Sequence, residues 1–327
     1  MAPESLLSRF KRHLLGGEVA QMVPAPGGAV LPGRVNTGQP SGTYIRRPQD
    51  AKFFTYLHAF TPNVGQWVAG AVGARDSFQV DGDAEFHVLK QAILAFDANG
   101  QRLGDTVAFE VSPVSEGFNF LEMFLSGYGS GPRPGIVPTP LVLPRSAIFT
   151  AIANNRNNTA TLPTILVAHF GAKVYRNPYL PQRVYRQQKP YAYSATYSAF
   201  AGTAGSGVIP ASGVGIVSLR TDGDSDFDVR KITVVSDAPV TVQVQSDEDK
   251  WFLRPLRSEL LGGSLIEVGG ALGFVSGEYP FIMPVPRLIS GAGYINTTLT
   301  NTDAVNAVRA QVVFWGTRLY PAGGVRR

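Results

Sequence analysis

The chain has no cysteine among its 327 residues, and only four histidines and three tryptophans. Without cysteine there is neither a disulfide framework nor a thiolate metal site. The histidines, His13, His58, His87 and His169, match no HExxH-type ligand spacing, so each is expected at the surface or at a strand edge. No apolar run approaches the roughly 18 residues that a membrane-spanning helix needs. The first 17 residues are interrupted by Arg9, Lys11 and Arg12 and lack the apolar core of a signal peptide. A Gly-x-Ser-x-Gly elbow, a Gly-Lys-Ser/Thr phosphate loop and a dinucleotide fingerprint are missing too. The glycine-rich stretches at Gly127–Gly131 and Gly202–Gly207 have no convincing helix behind them and read as loops. No catalytic residue, cofactor site or metal site is therefore assigned, and enzymatic activity is not expected.

Charge of either sign is sparse. The net charge of +5 sits outside the body of the chain: residues 1–50 carry +3, 51–178 are neutral, 179–190 carry +3, 191–321 carry −3 and 322–327 carry +2. No basic face, helix-turn-helix, zinc finger or RNA-recognition signature supports sequence-specific nucleic-acid binding.

What is present, above all, is a repeat. Asp81-Gly82-Asp83-Ala84-Glu85-Phe86-His87-Val88-Leu89-Lys90 returns as Asp222-Gly223-Asp224-Ser225-Asp226-Phe227-Asp228-Val229-Arg230-Lys231, displaced by 141 positions. Pro144-Arg145 is paired with Pro286-Arg287, and Phe170-Gly171-Ala172-Lys173-Val174-Tyr175 with Trp315-Gly316-Thr317-Arg318-Leu319-Tyr320, at displacements of 142 and 145. The expected division is an N-terminal helix and arm over 1–50, a first domain over 51–178, a proline-rich linker over 179–190, a second domain over 191–321 and a basic tail over 322–327.

Both domains read as β. Glycine (36) and proline (24) together make about 18% of the chain, above the roughly 12% of average usage, as many short strands joined by turns require. Apolar and polar residues alternate at Phe78-Gln79-Val80, Ile232-Thr233-Val234 and Val240-Thr241-Val242-Gln243-Val244. Strands are expected at Thr164–Phe170 and Val308–Trp315, and turns at Asp81-Gly82, Ala98-Asn99-Gly100, Asn154–Asn158 and Asp222-Gly223. The stretch Phe118–Phe124 fits a short helix or an aromatic strand equally well. The predicted fold class is all-β: two tandem duplicated antiparallel β-sandwich domains, jelly-roll-like, behind an N-terminal helix and extended arm.

That helix is predicted over 4–15, where Leu6, Phe10 and Leu14 recur at four-residue spacing with Leu7 beside them, Pro3 before and Gly16-Gly17 after. At about three turns it must dock to be stable, and Leu6, Leu7, Phe10 and Leu14 are the candidate interaction residues. The Gly- and Pro-rich Ala20–Asp50 reads as an extended arm.

Among possible chemistries, Asp222, Asp224, Asp226 and Asp228, with Asp81, Asp83 and Glu85 in the first half, could supply oxygen ligands to calcium. They lack the glycine and distal glutamate of a helix-loop-helix calcium loop. The plainer reading makes Asp-Gly the turn and puts the carboxylates on the wet face of the next strand, with Phe86, Phe227, Val88 and Val229 inward. Trp67, Trp251 and Trp315 are the candidate sugar-stacking aromatics, but Trp315 replaces Phe170 in the repeat and is expected in the core. A glycosidase pair cannot be singled out among 24 acids.

The closing phrase of each half, an Asn/Thr-rich turn, an apolar strand and then Phe/Trp-Gly-x-Lys/Arg-x-Tyr, resembles the carboxy-terminal signature of β-sandwich structural proteins of tailed-bacteriophage virions. The strand at Phe86-His87-Val88 or Phe227-Asp228-Val229 with its later Pro-Arg segment is similar as well, and together these cover most of 51–178 and 191–321. The resemblance implies a non-enzymatic virion component on the head, as a decoration or minor capsid protein, or at the neck or tail. It implies a homo-oligomer held by its arm, assembled in the host cytoplasm, with the major capsid protein or other virion proteins as partners and no membrane. A host-receptor or glycan-binding module at a tail tip is the alternative, and a hydrolase of cell-wall polymers a more distant one.

Overall fold

The computed structural model describes residues 22–24, 42–46, 51–61, 73–96, 109–113, 123–124, 134–155, 164–177, 183–196, 208–246, 249–261, 264–268, 271–276 and 281–321. The predicted helix with Leu6, Leu7, Phe10 and Leu14 lies outside them, as do Trp67, His13, Ala98-Asn99-Gly100 and most of Phe118–Phe124. Among the described residues there is no α-helix, and the structure is all-β with antiparallel sheets.

The first half contains β3 (Ala51–Phe60), β4 (Ala74–Gln79), β5 (Ala84–Phe96), β6 (Phe109–Pro113), β7 (Met123–Phe124), β8 (Gly135–Leu143), β9 (Ile148–Asn155) and β10 (Thr164–Tyr175). The second contains β11 (Arg183–Thr196), β12 (Val214–Arg220), β13 (Asp226–Ser236), β14 (Val240–Ser246), β15 (Leu256–Arg257), β18 (Phe281–Ile289), β19 (Tyr294–Asn301) and β20 (Ala310–Pro321). A hairpin of β16 (Ser264–Val268) and β17 (Ala271–Ser276) is inserted between β15 and β18. The first half forms two sheets, β3-β10-β5-β8 and β4-β9-β6-β7; the second forms β11-β20-β13-β18 and β12-β19-β14-β15. Counting each half's eight strands in chain order, both read 1-8-3-6 and 2-7-4-5.

Finer geometry repeats as well. The turns Asp81-Gly82 and Asp222-Gly223 join the second strand to the third in each half. The turns after β8 and β18 each place a non-glycine residue in the left-handed region, Ser146 (φ 58) and Ala292 (φ 62). In both halves the third strand carries a bulge against its sixth-strand neighbour, at Val88/Lys90 and at Val229/Lys231. Gly171 pairs with Val88 as Gly316 pairs with Val229. A Cβ on either glycine would overlap a carbonyl oxygen of the neighbouring strand, that of His87 or of Asp228, so the Phe/Trp-Gly step is dictated by close backbone approach.

The same registers correct one pairing made from the sequence. Phe86 faces Leu143 and Phe227 faces Ile289, so Pro286-Arg287 within β18 corresponds to Pro140-Leu141 within β8. Pro144-Arg145 lies instead in the turn that follows β8. Short gaps in the sequence had hidden a shift of four residues. The stretch 179–190, expected as a linker, is strand from Arg183 onward. Pro190 is tolerated there because, among the described residues, β11 is paired at that point with β20 alone, β2 reaching no further than Arg183–Tyr185, so a missing N–H need not break a ladder.

One sheet of each half has an edge covered by another part of the chain. Described parts of the arm form β1 (Met22–Pro24) and β2 (Gly42–Arg46), and β2 pairs with Arg183–Tyr185 of β11, extending the second half's sheet to six strands. The edge of β3 is met by the second half: Thr55 N–H donates to the Trp251 carbonyl (3.1 Å) and Leu253 N–H to the Thr55 carbonyl (2.9 Å).

This contact belongs to a seam that joins the halves into one block. Phe53, Leu57, Leu94, Leu166 and Phe170, on the outer face of the first half's β3-β10-β5-β8 sheet, share one apolar cluster with Trp251, Phe252, Leu260, Phe281 and Met283. That sheet is therefore covered on both faces, and β3 and β10 are buried almost throughout instead of alternating. Arg287, wholly buried, donates to the Phe53 carbonyl (3.0 Å) and pairs with Asp249, which also holds Lys52 (2.6 Å). Arg254 reaches across to Asp76 (3.1 Å).

Candidate functional site

At one end of each sandwich the repeated motifs meet in a corner. In the first half the aromatic pair Phe54 and Tyr56, on β3, stands with ring centroids 4.9 Å apart, and Tyr56 meets Phe86 edge-on at 4.7 Å. Asp81 N–H donates to the Tyr56 hydroxyl (3.1 Å). Lys173 sits over the Phe54 ring (3.5 Å) and is ion-paired with Asp81, while Lys52 lies over the Tyr175 ring (5.1 Å).

The second half builds the same corner. Tyr191 and Tyr193 are 4.8 Å apart, Tyr193 meets Phe227 edge-on at 4.7 Å, and Asp222 N–H donates to the Tyr193 hydroxyl (3.0 Å). Arg318 lies over Tyr191 (5.0 Å) and is paired with Asp222 (3.0 Å) and Asp224 (2.6 Å); Lys189 lies over Tyr320 (5.5 Å). Lys-x-Phe/Tyr-x-Tyr on the first strand, Asp-Gly-Asp in the turn and Gly-x-Lys/Arg-x-Tyr on the last strand are thus one constellation. The first of these motifs escaped the sequence reading because Lys189-Pro190-Tyr191-Ala192-Tyr193 had been divided between linker and domain. Its likeness to Lys52-Phe53-Phe54-Thr55-Tyr56, at a displacement of 137, is the signal that would have found it.

Electrostatically these are locks and not reaction centres. Burial drives the Tyr56 phenol far above its ordinary range. Burial, with the Asp222 carboxylate beside the hydroxyl, pushes Tyr193 up to about 12 against the opposing bond from the Asp222 N–H. Neither phenol ionises near neutrality, and Asp81, Asp222 and Asp224 are each paired with a cation.

Other residues singled out from the sequence fall as follows. Asp222 and Asp224 are exposed, but Asp226 and Asp228 are buried, against the expected wet face. The amino-terminal end of β11 lies across Asp226, which accepts from Arg183 (2.5 Å), the Tyr185 hydroxyl (2.7 Å) and Gly291 N–H (2.9 Å). Asp228 is paired with Arg230 (3.0 Å). Among the described residues no group of three or more His, Asp or Glu side chains is placed to hold a metal ion. Phe86, Phe227, Val88 and Val229 point inward and are fully buried.

His58, His87 and His169 are buried, not superficial. His58 and His169 meet edge-on at 5.2 Å inside the first sandwich, with Asp76 3.8 Å from the His58 Nδ1 and Gln91 3.0 Å from the His169 Nδ1. Burial, helped by Arg254, lowers the His58 pKa to about 3, and burial with His58 nearby holds His169 well below its ordinary value. Trp251 is wholly buried, edge-on to Phe314 (5.6 Å), and offers no sugar platform. Trp315, expected in the core, is 47% exposed with its indole N–H on the Thr233 hydroxyl (3.0 Å). Its counterpart Phe170 is buried because Phe281 of the second half packs on it at 4.5 Å, and no described residue plays that part for Trp315.

No protein-family model and no curated protein matches the sequence. Solved structures overlap it loosely, and virus structures recur among them. The Sulfolobus turreted icosahedral virus structure matches at 7% identity over 82% of this chain and 61% of that one, with a TM-score of 0.19. The infectious bursal disease virus VP2 subviral particle matches at 8% over 97% and 83%, TM-score 0.20. The insecticidal delta-endotoxin Cry8Ea1 of Bacillus thuringiensis matches at 12% over 85% and 54%, TM-score 0.20. This chain therefore spans less than two thirds of the archaeal-virus and toxin chains. Overlaps this loose, with viral and non-viral proteins alike, carry no functional weight.

Proposed function

We propose that this chain is a non-enzymatic subunit of a bacteriophage virion, built from two tandem jelly rolls of common origin and working as a homo-oligomer in or on the head, or at the neck or tail. Its partners are further copies of itself and other virion proteins, including the major capsid protein. The observation that carries this reading is the strand order 1-8-3-6 and 2-7-4-5 in both halves, welded by a buried seam into one block. Sandwiches of eight strands in two such sheets serve chiefly as capsid, lectin and cupin domains. A cupin enzyme needs ligating or catalytic groups inside the sandwich. The first interior does hold His58 and His169 with Asp76 near them, but among the described residues no three such side chains are placed to hold a metal ion; Phe54, Tyr56, Phe78, Phe86, Leu143 and Phe149 fill the rest of it, and Phe227, Ile232, Val242, Leu299 and Phe314 fill the second. A lectin-type role is left with Trp315 as the exposed one of the two described tryptophans.

Mass spectrometry and imaging of purified particles test the reading. The chain is expected in many copies per particle, at positions related by the particle's symmetry. A few copies confined to the tail tip, together with saturable binding of the purified chain to a glycan, would establish the receptor-binding alternative instead, and absence from particles would overturn both readings.

A further inference from the structure

The two corners differ in one respect that points to a ligand. In the first half the corner is occupied. The segment Asp249–Arg254 of the second half lies along the edge of β3, with Thr55 bonded on both sides of Phe252 and bridged to it in parallel. Asp249 takes the Lys52 ammonium (2.6 Å), and Leu253 packs on the aromatic cluster that contains Phe54 and Tyr56. With that cover, Phe54 is 4% exposed.

In the second half the same receiving groups stand in the same places. Lys189 matches Lys52, Tyr191 matches Phe54, Ala192 matches Thr55 and Tyr193 matches Tyr56, since Thr55 pairs with Phe170 as Ala192 pairs with Trp315. That register turns the Ala192 N–H and C=O outward, as it does those of Thr55. Among the described residues nothing lies along this stretch: β2 covers Arg183–Tyr185 only. Tyr191 is 42% exposed, and among the described residues Lys189 has no carboxylate partner.

We propose that the outer edge of β11 at Lys189–Tyr193 is a binding site for an extended peptide segment of a partner protein, one bearing a carboxylate and, four residues later, a bulky aliphatic side chain. The segment adds to the sheet edge in parallel, bonding Ala192 on both sides. Its carboxylate neutralises Lys189 and its aliphatic side chain covers Tyr191 beside Arg318. The pattern is that of Asp249 and Leu253 on the first corner, so the chain contains its own example of the complex. This site does not depend on the virion reading, because it rests on the likeness of the two corners.

A labelled synthetic peptide of Asp249–Pro255, titrated into the full chain, tests it. Saturable binding at one site is expected, abolished by Ala192→Pro, which removes the edge N–H. Leu253→Ser in the peptide should weaken binding about tenfold, as loss of one buried leucine does, and Lys189→Glu about threefold, as for an exposed ion pair. Absence of saturable binding overturns the proposal, and so does binding that Ala192→Pro leaves unchanged. Should Ala192→Pro prevent folding, the exposed Lys189→Glu decides: equal affinity for the parent peptide and for Asp249→Ser, with and without Lys189→Glu, overturns it.

Discussion

Two buried histidines make the stability of the first half depend on pH. His58 and His169 stay neutral when folded, with pKa values below the ordinary 6.5. The unfolded chain binds protons that the folded chain refuses. Their contribution to stability is therefore complete above pH 6.5 and is lost as the pH falls from 6.5 toward 3. Thermal unfolding between pH 7 and 4 should show a falling Tm, and His169→Phe, which installs the residue of the matching position Phe314, should flatten the fall. An unchanged slope in that variant would place the proton uptake elsewhere. Gly171→Ala and Gly316→Ala test backbone approach in the same direct way. Each should cost about 2 kcal/mol or more in chemical denaturation, because the obstructing atom is a strand carbonyl that cannot swing aside.

Elements of the same rank in the two halves have been put to different uses. β8 carries Leu141 where β18 carries Arg287, and it is Arg287 that reaches the Phe53 carbonyl and Asp249 across the seam. Arg287→Leu, restoring the first half's residue, leaves Asp249 with Lys52 as its remaining cation among these seam groups. A loss of about 2–3 kcal/mol is expected by denaturant titration, less than for a fully buried pair because Asp249 keeps some contact with water. The first strands, β3 and β11, diverge likewise: one is sealed by Trp251–Leu253, the other by β2 at one end only.

At the scale of the molecule, the apolar cluster that runs from Phe53 and Phe170 into Trp251 and Phe281 couples the halves. Calorimetry should show one unfolding transition for the intact chain. Phe281→Ala removes a buried ring that packs across the seam on Phe53 (5.9 Å) and Phe170 (4.5 Å), costs about 3–5 kcal/mol, and should separate that transition into two. Two transitions in the intact chain would mean that the seam does not couple the halves. Removal of residues 1–50 takes away β2 as well as the predicted helix. It should abolish incorporation into particles while both sandwiches stay folded, as proteolysis would report.

Much of this was legible in the chain itself. Turn residues, alternation at Val240–Val244 and the recurrence of Asp-Gly-Asp and Gly-x-Lys/Arg-x-Tyr are local signals, set by backbone sterics and by the period of a strand, and they led to an all-β reading in two matching parts. Burial depended on what came to lie against each strand. Phe170 and Trp315 occupy one position in two halves, yet one is sealed and the other open, because the second half packs on the outside of the first and nothing described packs on the outside of the second. The histidines buried among Phe78 and Phe149, the burial of Asp226 under the start of β11, and the edge at Ala192 that no described residue covers depend in the same way on tertiary neighbours. A repeated sequence specifies a repeated fold, but two copies stacked in one chain cannot have the same neighbours, and the neighbours decide exposure, charge state and what remains to be bound.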